Sequence, residues 1–340
     1  MWRQQDAPAT AGAAERSEVP LICFTVFSPA AVGASLFSLS LGSGAAVAAV
    51  AVLMVTAGML ASIAHLARPL RAPRSLAHLG GSWLSREILA VSAFWALAVL
   101  WLACELGGAG AFGDVAGATA SGVAGTVVTI PTTAAFPWAA AARGFHVAAV
   151  IVGVLLLWVI ARAYRVHGQP AWDGSDTFWE LVAGALGSGG AVAAAVAAGQ
   201  GIAGVGGTIP LALPGVVALI GLASSSALVR FASGRRVLRV DELVDRERTP
   251  RALAARDALA AGEPRSYRRL NALAIAFAVI AFAVIAFGAG LLPLPGGMTA
   301  SAVSVALALC ALSELAAQAS LRNRFYSLVQ HARYAAASRR

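Results

Sequence analysis

Residues 59–89 read MLASIAHLARPLRAPRSLAHLGGSWLSREIL and hold four arginines, two histidines and one glutamate between two long apolar runs. His65 closes the first run and Glu87 stands at the head of the next. An imidazole at such an edge meets a lipid-soluble ligand on one side and water on the other. Its proton affinity near neutrality suits it to take a proton from a quinol or to hydrogen-bond a quinone carbonyl. Glu87 would be the second acid–base group or the proton's exit to water. Arg68, Arg71, Arg74 and Arg86 can orient Glu87, keep it ionised, or meet an acidic partner. The same residue types also serve as interfacial anchors that touch lipid phosphates.

These residues need a membrane to sit beside, and the composition supplies one. Hydrophobic residues make up 59% of the 340-residue chain and charged residues 12%, and several apolar stretches reach about 20 residues, the length that crosses a hydrocarbon core. Backbone polar groups in lipid must be satisfied within the segment, so the expected fold is all-α: an integral membrane bundle of eight transmembrane helices. The spans fall near residues 20–42, 45–66, 88–107, 144–163, 177–199, 208–230, 270–292 and 298–319. They form one membrane domain over 20–319, between a polar tail at 1–19 and a basic tail at 320–340. Residues 1–19 have acids among the arginines and no short apolar core before a cleavage site, so the first span is expected to be the insertion signal.

Two connections stand out. Residues 108–143 are apolar but rich in Gly, Thr and Pro, which favours an external loop or re-entrant segment over a ninth span. Residues 231–269 carry ten arginines among six acids and read as a solvated docking or anchoring loop, with one or two short helices broken at Pro250. All 25 basic residues are arginine. Their distribution over eight spans leaves only Arg143 on the opposite side, which places both termini in the cytoplasm. The formal charge of +9 is thus explained by membrane topology and calls for no nucleic acid.

The run from Ala61 to Ala72, with the pattern AS-x-x-HL-x-x-P-x-RA, and SWLSREI from Ser82 to Ile88 resemble the signature of the membrane anchor subunit of dimethyl sulfoxide reductase and related molybdenum oxidoreductases. PLICFTVFSPAAVGASLF from Pro20 to Phe37 is similar to that family's opening helix. Tyr164, Pro170 and Trp172 match an element after its fourth helix, and Glu314 with the Phe325, Tyr326 pair matches its last. One turn past Glu314, where the family tends to have an arginine, this chain has Gln318, followed by Arg322 and Arg324.

The resemblance implies a multi-pass protein of a bacterial inner membrane that oxidises menaquinol or ubiquinol, bound as substrate. Electrons would pass to a four-cluster iron–sulfur subunit joined to a catalytic molybdopterin subunit. It maps the acid–base roles onto His65 and Glu87, with Arg71, Trp83, Tyr164, Trp172 and Glu314 as further candidates for the quinol pocket and Arg68, Arg74 and Arg86 for partner docking. Trp83, Tyr164 and Trp172 can equally be belt aromatics. Glu314 can equally belong to a proton path or a structural ion pair, with Arg322 or Arg324 as its partner.

Competing chemistries are weaker. Cys23, Cys104 and Cys310 lie singly in apolar runs, so no iron–sulfur cluster is expected in this chain, and no metal site. A haem would need two facing axial ligands, whereas His65 and His146 fall about 30 Å apart at 1.5 Å per helical residue, so no haem is expected either. A secondary transporter would show paired interrupted helices and charge at mid-membrane depth, whereas the sequence pattern has no such pair and almost no such charge. A purely structural tether without a quinol site remains the other alternative.

Overall fold

A computed structural model describes residues 18–42, 44–65, 79–109, 137–165, 169–202, 212–288 and 296–337. Among these residues the chain is helical, without strands. The helices are α1 (Val19–Leu41), α2 (Gly44–His65), α3 (Trp83–Gly108), α4 (Trp138–Ala163), α5 (Asp176–Gly184), α6 (Gly190–Ile202), α7 (Ala212–Glu247), α8 (Pro250–Ala260), α9 (Arg265–Gly288) and α10 (Gly296–Ala337). A single π turn, Ala185–Gly189, joins α5 to α6 into one continuous segment. Among the described residues eight segments are long and apolar enough to cross a membrane, and of the helices named here only α8 lies in none of them.

The apolar faces gather into two large cores. One is centred on α1, α6, α7, α9 and α10, and the other on α1 to α5, with α1 to α4 contributing to both. The α5–α6 segment is the most enclosed of the spans and α9 among the least. Small residues permit the closest crossing: a Cβ on Gly33 of α1 would collide with the Ala185 carbonyl of the π turn, and one on Gly189 with Gly33. Alanine- and glycine-rich spans gain from such contact because lipid offers no hydrophobic drive between helices.

The helices overrun several sequence-expected boundaries. The third span begins at Trp83, five residues before the expected 88, because Ser82 caps it by accepting from the Ser85 amide at 3.4 Å. The fourth begins at Trp138, so the expected loop 108–143 loses its last residues to α4, and 110–136 lie outside the described residues. The arginine-rich segment 231–269 is not a loop. α7 runs on to Glu247, α8 and the start of α9 follow, and Ala252, Ala255 and Leu259 of α8 pack against Val240, Val244 and Leu328. Arg, Glu, Ala and Leu are good helix formers, so nothing stops α7 until Arg248 turns the chain at a φ of 44°. Pro250 then starts α8 rather than breaking it: Thr249 caps the helix and the proline takes its first position, where its missing amide does no harm. The expected tail from 320 is likewise helical, as α10 continues to Ala337.

Candidate functional site

The charged ends of α3, α4, α5, α7 and α10 meet at one rim, and the first turn of α3 supplies its outer edge. Trp83 lies between two guanidinium groups, Arg86 at 4.4 Å and Arg162 at 4.9 Å from its ring, with Trp158 edge-on at 5.4 Å. Arg86 also donates from Nε to the Leu79 carbonyl (2.8 Å) and from Nη2 to that of Gly80 (3.0 Å), so its side chain secures the turn that leads into α3. Glu87 follows Trp83 by four residues, hence on the same helix face, and is buried. It has no hydrogen-bond or ion-pair partner among the described residues, and it lies close enough to Tyr164 and Tyr326 to act on both electrostatically.

Those two tyrosines belong to an aromatic cluster assembled from three distant parts of the chain. Trp172, in the turn before α5, stacks on Phe325 of α10 with centroids 4.7 Å apart and planes 4° from parallel, and its Nε1 donates to the Phe325 carbonyl at 2.9 Å. Tyr164, the C-cap of α4, meets Trp172, Phe325 and Tyr326 edge-on. The Tyr326 hydroxyl donates to the Tyr164 oxygen at 2.9 Å and lies 3.4 Å from the Thr25 Oγ1 of α1. Desolvation and the neighbouring Tyr326 push the Tyr164 phenol above its ordinary range, so it is a neutral hydroxyl at physiological pH. A buried carboxyl beside two phenols, walled by stacked rings, can accept a proton and hydrogen-bond a carbonyl oxygen.

Behind the aromatic cluster stands an ion-pair network absent from the sequence-based expectations. Glu180 of α5 pairs with Arg236 of α7 (2.6 Å) and Arg322 of α10 (3.6 Å), all three buried. Asp176, one turn earlier, takes Arg239 at 2.7 Å and Arg235 at 3.8 Å. Arg239 also donates to the Pro170 carbonyl, which ties the turn carrying Trp172 to α7. Arg236 and Arg322 each lie 5.7 Å from the Phe325 ring. The sequence does hold a signal for it, in Asp176 and Glu180 at i, i+4 and in Arg235, Arg236 and Arg239 at matching helical spacing. Hydropathy hides that signal by reading the arginines as loop.

Glu87, Tyr164, Trp172 and Trp83 are therefore gathered at one rim, whereas Glu314 is not. It precedes Tyr326 by 12 residues on α10, about 18 Å along the helix axis. Its expected partner, Arg322 or Arg324, is corrected as well: Glu314 Oε1 accepts from Gln318 Nε2 at 2.8 Å and from Ser225 Oγ at 3.2 Å. Arg322 is taken by Glu180, and Arg324 donates to the Ala258 and Leu259 carbonyls. A glutamate at i reaches i+4 and not i+8, which is why the neutral Gln318 is the group it meets. Room for the carboxyl comes from the π turn, since a Cβ on Gly187 would strike both Glu314 and Ser225. The carboxyl thus lies in the middle of its span, deeper than the span end at which the sequence pattern places it. His65 is the last residue of α2, with its side chain outside the described residues, and Arg68, Arg71 and Arg74 lie outside them altogether.

At the opposite end of the bundle His146 stacks on Trp101 with centroids 3.7 Å apart, and Trp101 Nε1 donates to Glu105 at 3.0 Å. His146 Nε2 lies 2.8 Å from the Ser35 carbonyl and 2.9 Å from Ser38 Oγ. Among the described residues no three His, Cys, Asp or Glu side chains gather as a metal site requires.

Comparison with known proteins bears on the first third of the chain most directly. Residues 13–112 match the family described as DMSO reductase anchor subunit (DmsC). An anaerobic dimethyl sulfoxide reductase subunit of Haemophilus influenzae is 28% identical over 175 residues, covering 48% of this chain and 53% of the relative. The anaerobic dimethyl sulfoxide reductase subunit YnfH of Escherichia coli is 29% identical over 171 residues, half of each protein. The chain thus spans about half the length of the curated relatives it matches. No solved structure matches it.

Proposed function

We propose, from the match of residues 13–112 to the DMSO reductase anchor subunit (DmsC) family and from eight described segments long and apolar enough to cross a membrane, that the chain fixes a molybdoenzyme complex to a membrane and oxidises quinol there. The site is the rim formed by the end of α2, the start of α3 and the Tyr164–Trp172–Tyr326 cluster. The observation that carries this reading is the buried Glu87 near two phenol hydroxyls behind a stacked aromatic wall, at the start of the helix that follows His65 in the sequence.

Each quinol, menaquinol or ubiquinol, gives up two electrons and two protons. Glu87 and His65 take the protons from the ring hydroxyls and release them to water at the rim. Tyr164 or Tyr326 donates a hydrogen bond to the oxygen that becomes a carbonyl, while Trp172 and Phe325 limit the ring's approach. The three scattered cysteines cannot form a cluster, so the electrons leave to an iron–sulfur subunit docked at this rim and continue to a molybdopterin subunit.

The test is the purified complex assayed with a quinol analogue and, separately, with an artificial dye donor. His65→Ala and Glu87→Gln are expected to abolish quinol-driven turnover and leave assembly and dye-driven turnover intact. Unchanged quinol oxidation in both variants would remove the site from this rim and favour a purely structural tether.

A further inference from the structure

Beside the ion-pair network lies a cavity of about 180 Å³ between α7, α8 and α10. Its walls carry two guanidinium side chains, Arg236 and Arg324, and two carboxylates, Glu180 and Glu263. The balance of charge is uneven. Glu180 is already shared by Arg236 Nη1 and by Arg322 behind it, so three guanidiniums stand against two carboxylates. One turn away Asp176 faces both Arg235 and Arg239, which adds to the positive excess.

Arg236 is 5% exposed, and among the described residues its Nε and Nη2 have no hydrogen-bond partner. A buried N–H of a charged group left without an acceptor is costlier than one of a neutral group. Among the described residues Arg324 makes two long hydrogen bonds, both 3.4 Å, from one nitrogen to the α8 carbonyls. Donors outnumber acceptors here, and a monoanion would balance the charge.

The surroundings specify the kind of anion. The cavity lies where the apolar stretch of α7 gives way to its arginines and where α9 begins with Arg265, Arg268 and Arg269. Phe231 and Leu238, one turn to either side of Arg235, are exposed on one face of α7. Apolar side chains outside and unpaired guanidinium inside, at the end of the spans, match the headgroup level of a lipid whose acyl chains run along α7. Basic pockets between helices at this depth are the usual receptors for anionic headgroups.

The geometry points to a phospholipid site at which the headgroup phosphodiester, one negative charge with two free oxygens, seats between Arg236 and Arg324 under α8. The oxygens fit the fork of a guanidinium, the reason arginine outperforms lysine at phosphate. This assignment stands apart from the quinol reading and survives if that reading fails.

The experiment uses the full-length chain, stripped of lipid in detergent and titrated with phosphatidylglycerol, phosphatidylcholine or inorganic phosphate, with bound ligand counted by native mass spectrometry. One phosphatidylglycerol is expected to be retained in preference to phosphatidylcholine. Arg324→Gln should weaken that retention about fivefold, the effect of roughly one interfacial arginine. Glu263→Gln, which removes a competing negative charge, should strengthen it. Arg246→Gln, on the remote exposed pair with Glu242, should leave it unchanged. Neither informative variant breaks the Glu180 pair, so both are expected to fold. Equal retention of the two lipids, indifference to Arg324→Gln, or displacement of the lipid by millimolar inorganic phosphate would each overturn the assignment.

Discussion

The two ends of this bundle each bring together aromatic rings, a carboxylate and a hydrogen-bonding side chain, yet they do so in opposite ways. At the far end the groups satisfy one another: His146 is stacked on Trp101 and bonded to Ser35 and Ser38, and Glu105 receives the Trp101 indole. At the α3 rim the rings stack and the phenols bond, but Glu87 is buried beside them with no partner among the described residues. A closed set of hydrogen bonds fixes helices together. An open carboxyl within a finished aromatic wall is what the proposed quinol site requires. The contrast lies in which polar atoms are left over, since residue types alone would recommend His146 as strongly as Glu87.

The sharpest way to break this contrast is to remove the open carboxyl. Glu87→Gln keeps the shape and deletes the base, and a positioned general base contributes about 10²- to 10⁴-fold. Quinol-driven turnover of the complex is expected to fall by at least about a hundredfold, with dye-driven turnover unchanged. Retention of most quinol activity would make the two ends equivalent.

A second prediction concerns the network behind the rim. Glu180→Ala leaves two buried guanidiniums, Arg236 and Arg322, without their carboxylate. Breaking a buried pair on one side costs about 3–5 kcal/mol. The variant is expected to lose much of its thermal stability in detergent, measured by the temperature at which helical circular dichroism collapses, and Phe325 with Trp172 should lose their fixed stacking. The triple change Glu180→Gln, Arg236→Gln and Arg322→Gln should recover much of that loss, because no lone charge of the trio remains.

How much of this is legible in the sequence differs by physical scale. Eight spans follow from apolar length alone, and Trp83 with Glu87 on one face follows from a four-residue spacing. The ends of the spans do not follow, because α7 and α10 continue as helix through Arg, Glu and Ala residues that hydropathy reads as loop and tail. The Tyr164–Tyr326 bond joins residues 162 positions apart, and the Glu180–Arg236 pair joins α5 to the part of α7 that hydropathy misreads. Pairings of that separation depend on how helices cross, which small residues such as Gly33 and Gly189 decide. Glu314 enters the expected quinol pocket by family resemblance, and its depth becomes clear only from the continuity of α10.

The far end supplies the converse prediction. His146→Leu removes hydrogen bonds to Ser35 and Ser38 and the stack on Trp101, at a cost of about 1–3 kcal/mol. Thermal stability is expected to fall by that amount while quinol-driven turnover per folded complex stays at the parent value. A specific loss of quinol turnover would show that the closed cluster takes part in chemistry after all.

Glu314→Gln is expected to have the smallest effect, and its size discriminates between depth and resemblance. The substituted amide keeps an oxygen for the Gln318 and Ser225 donors and fits the space left by Gly187, so the stability change should stay within about 1 kcal/mol, near that of one neutral hydrogen bond. If the carboxyl is about three turns from the aromatic cluster, as α10 requires, the Michaelis constant for a quinol analogue should not move. A raised Michaelis constant with unchanged dye-driven activity would mean that the ring penetrates along α10 as far as Ser225, and the site would have to be redrawn from the rim into the bundle.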